Sequence, residues 1–156
     1  MKGNNMVEQI TDKKLKTTIA RNILEALTEW FEVEESREQY IANSADEVFL
    51  ASKDEDGYNG FLCLKETGKD TVELAVMGVL KDHHRHGAGR ELVEKARETA
   101  KAAGYSFMQV KTVQMGKYDD YDATNRFYLA MGFKELEVFP LLWDEWNPCQ
   151  VYVMIL

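Results

Sequence analysis

Proline is nearly missing from this chain of 156 residues, and cysteine and histidine are almost as scarce, with counts of two, two and three. Pro140 and Pro148 both come late, and no internal repeat or low-complexity linker breaks the sequence. Residues 1–156 therefore read as one domain, a length that suits one real core and is tight for two. Cys63 lies in an apolar run and Cys149 follows Asn-Pro, which gives neither metal spacing nor a disulfide framework. Reduced thiols in a cytoplasmic protein are the expectation. No apolar stretch approaches a membrane span, and "MKGNNMVEQITDKK" has no signal-peptide core, so no membrane partner is expected. Positive charge is short as well. Nineteen Lys and Arg stand against 27 Asp and Glu, a formal net charge of −8. That disfavours nucleic acid as a partner, since duplex binding needs a basic surface against phosphates. It favours cationic or amine partners only weakly, because an acidic surface also simply keeps a protein soluble.

What is present has an ordinary globular balance, 45% apolar and 29% charged. "MVEQI" reads as a first strand. Thr11 or Asp12 offers an N-cap, and Leu15, Ile19, Ile23 and Leu27 then recur at helical spacing, with Leu24 and Phe31 beside them. "EESREQYIANSAD" reads as a second helix. "EVFLASKD" and "YNGFLCLKE" are strands joined by "EDG", and "TVELAVMGVL" is a third, apolar at its end and so central. From Gly87 to Gly104 the period changes. Leu92, Val93, Ala96, Ala100 and Ala103 fall on one helical face, Glu91 and Lys95 form a favourable pair, and Gly104 supplies the stop. "YSFMQVKTV" is the next strand, parallel to the one before the helix. "YDATNRFYLAMGF" is a short helix, and "KELEVFP" and "PCQVYVMIL" are two last strands.

"KDHHRHGAGR", residues 81–90, holds all three histidines. A zinc site needs converging ligands, but adjacent His83 and His84 point opposite ways in extended chain, and no other His or Cys completes a set. No metal is expected. A dinucleotide fingerprint also fails. Leu92 stands where its third glycine belongs, six residues separate Gly87 from the strand, and the unit is not at the N-terminus. A general phosphate seat survives. The first turn of a helix leaves about four N–H groups without partners, and the helix dipole adds positive charge there. Gly87 and Gly89 let backbone approach an anion, with Arg85 and Arg90 close in sequence. A tight strand-to-helix turn is the plain alternative.

The surroundings go further. "VMGVLKDHHRHGAGRELVEKA" resembles the acetyl-coenzyme A motif of the GNAT N-acetyltransferase superfamily, a strand, a Q/R-x-x-G-x-G/A turn and a helix. His84, Gly87 and Gly89 fall on the marked positions, and His84 departs from the usual Gln or Arg. "FYLAMGFKELEVF" is similar to the family's C-terminal segment at Tyr128, Gly132 and Phe133, whereas Tyr121 and Thr124 stand where Asn and Ala are common. The resemblance implies an α+β fold, a three-layer arrangement with a mixed, mostly antiparallel sheet of about six or seven strands, one parallel βαβ pair and helices on both faces. It implies acetyl transfer from acetyl-CoA, as co-substrate, to an amine. A homodimer is a possible assembly by the same analogy.

A primary alkylamine, with a reference pKa of about 10.4, arrives protonated at neutral pH. The site must remove that proton, steady the oxyanion and reprotonate the thiolate. Glu73 lies where several family members carry a catalytic glutamate and is the candidate base; a solvent-facing strand glutamate is its plain alternative. Tyr128 is the candidate acid, with a core tyrosine as alternative. By family position Met77, Gly78 and Val79 meet the pantetheine arm. His84, Arg85, His86, Gly87, Ala88, Gly89 and Arg90 form the pyrophosphate turn. Trp30, Phe31, Tyr118, Tyr121, Trp143 and Trp146 are candidate acceptor walls, with Asp119, Asp120, Asp122, Asp144 and Glu145 near a cationic acceptor. Binding of the coenzyme without catalysis, as a sensor or scaffold, is the rival function.

Overall fold

A computed structural model describes residues 5–84 and 87–156. Its elements are β1 (Met6–Ile10), α1 (Lys13–Ala26), α2 (Glu34–Ser44), β2 (Val48–Asp54), β3 (Gly57–Gly68), β4 (Thr71–Val79), a single 3-10 turn at Lys81–His83, α3 (Ala88–Ala102), β5 (Phe107–Val113), α4 (Asp119–Ala130), β6 (Lys134–Asp144) and β7 (Asn147–Ile155). The strands form one seven-stranded sheet in the order β1-β2-β3-β4-β5-β7-β6. β4 and β5 are its parallel pair, joined through α3. The class is α+β, as the element order predicts. By contacts the chain divides into two compact units, Met1–Lys65 with Ala75–Thr99 and Glu66–Leu74 with Ala100–Leu156. Among the described residues no helix is long and apolar enough to cross a membrane.

In the first unit α1 starts where Asp12 Oδ1 accepts from the Lys14 N–H at 3.2 Å, which decides between the two candidate caps. Its stripe of Ile19, Ile23, Leu24 and Leu27 is buried against Phe49, Phe61, Cys63 and Val76. The rings of Phe49 and Phe61 stack 5.2 Å apart. Lys16 is buried on the same helix and satisfies its ammonium on the carbonyls of Ala45 and Glu47, at 3.3 and 2.8 Å. A Cβ on Gly78 would come within 3.0 Å of Ile23 and 3.1 Å of Leu27, so this glycine makes room for α1. A Cβ on Gly60 would meet Leu92 of α3 and Val79 at 3.2 Å. Helices thus cover both faces of this unit's strands. Leu92, Val93 and Ala96 are buried as the helical period predicts. Ala103 is a correction: α3 ends at Ala102 and Ala103 is exposed. Glu91 and Lys95 do not pair; the ion pair of α3 among the described residues is Arg97–Glu94 at 3.8 Å.

In the second unit the β4–β5 register runs from Thr71↔Phe107 to Glu73↔Gln109. β5 then pairs β7 antiparallel over its whole length, and β6 pairs β7 at the sheet edge. β6 runs four residues past the predicted "KELEVFP", through Leu141, Leu142, Trp143 and Asp144. Pro140 does not stop it because an edge strand tolerates a missing N–H. Side-chain alternation sorts this sheet into two faces. Val110 and Tyr152 are register partners, and the Tyr152 hydroxyl donates to Asn125 Oδ1 of α4 at 2.5 Å. Lys111 therefore faces away from α4, as do Val113 and its partner Cys149. Gly132, at φ +103°, ends the α4 segment, and the Phe133 N–H turns back to the Tyr128 carbonyl at 3.1 Å.

Candidate active site

The first unit carries the coenzyme candidates. β4 ends at Val79, and the Leu80 N–H goes to the Asn59 carbonyl at 2.8 Å. The 3-10 turn follows, and its histidines part company. His83 Nε2 lies 3.0 Å from Asp54 Oδ2 and is half-buried. Backbone N–H donation from Asp56, ahead of His83, holds the Asp54 carboxyl below the usual range. His84 turns the other way and donates its Nε2 hydrogen to the Val79 carbonyl at 2.7 Å. Its ring meets Trp30 edge-on, with centroids 5.8 Å apart. The motif position that departs from the family pattern thus ties the turn back to the end of β4. Among the described residues no group of three His, Cys, Asp or Glu side chains is arranged around a common point for a metal ion.

Arg85 and His86 lie outside the described residues. Gly87 has φ +88°, the left-handed region that glycine alone enters freely, and its carbonyl accepts the Glu91 N–H at 2.9 Å to begin α3. Gly87 is exposed, Ala88 buried, Gly89 half-buried and Arg90 exposed. Exposed backbone at a helix start fits a phosphate. Glu91 stands in the same first turn and opposes an anion. Met77 and Val79 are half-buried, and Gly78 is buried under α1. Phe31 packs edge-on against Tyr40 at 5.9 Å, and the Arg37 guanidinium holds its carbonyl at 2.9 Å.

The second unit carries the candidate proton-transfer groups. Glu73 is buried on β4, not facing solvent, and its Oε1 accepts from Lys111 Nζ at 2.9 Å. Cys149 lies on the same face. Burial pushes its thiol up, the Lys111 ammonium opposes this, and Glu73 adds to it. Tyr128 is buried on α4, with its ring 5.6 Å from Phe133 and 6.3 Å from Tyr152. Tyr152 faces α4, so Glu73 and Tyr128 belong to opposite faces of this unit's sheet.

Of the wall candidates, Tyr118 and Tyr121 meet edge-on at 6.0 Å, and Trp143 and Trp146 are exposed in the β6–β7 hairpin. Two of the acidic candidates have local duties. Asp144 Oδ1 accepts the N–H groups of Trp146 and Asn147, at 2.9 and 2.8 Å, and so builds the hairpin turn. Asp122 Oδ1 accepts the Gly116 N–H at 2.7 Å. Sequence reasoning missed Lys111, Cys149 and Asn125. Asn125 is fully buried and donates to the carbonyls of Val113 and Tyr121, at 2.8 and 2.7 Å. Its signal was a polar residue three positions before Tyr128. Lys111 carried one too, as the one charged residue of its strand.

The family model for the acetyltransferase (GNAT) domain matches residues 44–135. The chain belongs to the GNAT acetyltransferase family. Solved structures of GNAT proteins share its fold. A GNAT-family protein from Desulfovibrio desulfuricans is similar over 97% of this chain and 99% of its own, at 15% identity and a TM-score of 0.85. A GNAT family acetyltransferase from Elizabethkingia anophelis with acetyl-CoA bound covers 98% of this chain and 99% of its own, at 17% identity and a TM-score of 0.74. An aminoglycoside 6'-N-acetyltransferase complexed with coenzyme A covers 96% of each, at 16% identity and a TM-score of 0.75. A search of curated proteins finds no match.

Proposed function

We propose that this GNAT protein is an acetyl-CoA-dependent N-acetyltransferase that moves an acetyl group to a primary amine of a small molecule or protein by direct attack on the thioester. The observation that carries the reading is the buried carboxylate of Glu73 on β4 in a chain of this family. On the first unit, Met77, Gly78 and Val79 would meet the pantetheine arm, and His84 to Arg90 would seat the pyrophosphate on α3. His84 contributes through the Val79 carbonyl rather than by reaching the phosphates. On the second, Glu73 would take the proton of the acceptor and Tyr128 would supply one to the leaving thiolate; they lie on opposite faces, and the β4–β5 pairing that would separate them ends at Glu73↔Gln109. Structural relatives bound to acetyl-CoA or coenzyme A support the choice of donor. The acceptor-wall candidates are Trp30 and Phe31 on the first unit and Tyr118, Tyr121 and Trp143 on the second. We read residues 1–156 as one acetyltransferase domain, supported by a family match that runs through both compact units. Free, buried Cys63 and Cys149 support a cytoplasmic setting, and the exposed apolar residues of β6 support a homodimer.

The test is thermal stabilisation by acetyl-CoA followed by thiol release with a panel of amines. At a hundred times its Kd the coenzyme stabilises the fold by about 2.7 kcal/mol. Glu73→Gln should lower turnover by about a hundredfold or more at unchanged coenzyme affinity, and Tyr128→Phe should slow it as well. Stabilisation without turnover of any amine would favour the binding-only rival. No stabilisation would overturn the reading.

A further inference from the structure

A buried ion pair calls for a reason beyond folding, because removing two charges from water costs about as much as their attraction returns. Glu73 and Lys111 form such a pair, with side chains only 10% and 31% exposed. The Lys111 ammonium takes Glu73 Oε1 at 2.9 Å, while Oε2 has no hydrogen-bond partner among the described residues. The two residues sit diagonally across the parallel pair, Glu73 opposite Gln109 and Lys111 two positions on, so the contact needs no distortion of either strand. Gln109 is itself engaged with Thr67 at 2.8 Å and does not compete for the carboxylate. Cys149, on the same face, is kept a neutral thiol by burial and offers Lys111 no rival charge at neutral pH.

We propose that Lys111 is the positioning residue of the proton acceptor: by fixing Glu73 Oε1 it aims Oε2 at the acceptor amine or at a water before it. The inference rests on the reading of Glu73 as the base. One proton passes from the acceptor ammonium to Oε2, and Lys111 keeps all of its own. The freed lone pair forms the C–N bond as the C–S bond breaks, the thiolate takes its proton from Tyr128, and the new amide nitrogen releases its second proton to solvent. Solvent then restores both side chains.

The experiment is a double-mutant cycle in the full-length protein, read as thiol release from acetyl-CoA with the amine panel and with water alone as acceptor. Lys111→Met should lower kcat by about tenfold or more, with KM for acetyl-CoA within about twofold. In the Glu73→Gln background the same change should cost less than about threefold, because the group it acts through is gone. Lys111→Arg keeps the charge and should stay within about threefold of the parent. If Lys111→Met does not fold, the double variant, which leaves no lone buried charge, and Lys111→Arg still decide. An equal loss in both backgrounds, or a Lys111→Arg as slow as the double variant, would overturn the positioning role. If Glu73→Gln keeps full turnover, the reading of Glu73 itself fails, which is a different result.

Discussion

Two sets of ion pairs in this protein use the same chemistry in different solvents. On α1, Arg21 reaches Glu25 at 2.9 Å and Glu38 of α2 through both terminal guanidinium nitrogens, at 2.8 and 2.9 Å, with all three side chains between 44% and 49% exposed. The Glu38 hydrogen bonds raise the hold of Arg21 on its proton, and Glu38 is correspondingly acidified. On β4 and β5, Glu73 and Lys111 make a single bond of 2.9 Å with far less water around it. The exposed network has better geometry and more partners. The buried pair has the larger consequences, because each of its charges depends on the other for what water would otherwise supply. Contact quality alone therefore misranks the two.

The largest effect expected from breaking this contrast is on stability. Lys111→Met should cost about 2–4 kcal/mol in urea unfolding, because it strands a buried carboxylate. Adding Glu73→Gln should recover most of that loss, and a double variant no more stable than the single one would refute the account. Next comes Gly78→Ala, where the added methyl meets Ile23 and Leu27 in a packed core; a loss of about 1–2 kcal/mol is expected by the same measurement. Arg21→Ala should leave the unfolding midpoint nearly unchanged, and 1 M salt should weaken the Arg21 network while leaving the β4–β5 pair intact. A midpoint shift for Arg21→Ala as large as that for Lys111→Met would remove the contrast. Smallest is the response of Cys149. Its thiol should react slowly with a disulfide reagent at pH 8 in the folded protein, and more slowly still in Lys111→Met, which loses the cation that opposes its rise.

The fold was legible because its signals are local. Strand alternation, the α1 stripe, Gly104 and Gly132 each act within a few residues, and each element lies within a few residues of where those signals put it. The end of β6 was not legible, because an edge strand carries Pro140 at no cost, so proline there says little about where pairing stops. The glycine turn before α3 was readable as a motif, but the work of His84 was not: its bond to Val79 depends on a fold-back that the spacing does not announce. Glu73 was singled out by position as a candidate, and its ion-pair partner was missed. Lys111 is 38 residues away in sequence, and only the parallel register brings it alongside. Asp144 looked like a charge for an acceptor and is the knot of a turn, a distinction that needs the N–H groups of Trp146 and Asn147 in place.

The tryptophans have a practical consequence. None of the three belongs to the fully buried core: Trp30 is half-buried beside His84, and Trp143 and Trp146 are 45% and 70% exposed. Intrinsic fluorescence in the native state is therefore already emitted largely from wet indoles. Its wavelength will move little on denaturation, and circular dichroism is the better optical record of unfolding. The same emission is well placed to report events at the turn that His84 closes, where a change in the imidazole contact alters the surroundings of one indole and leaves the other two as an internal reference.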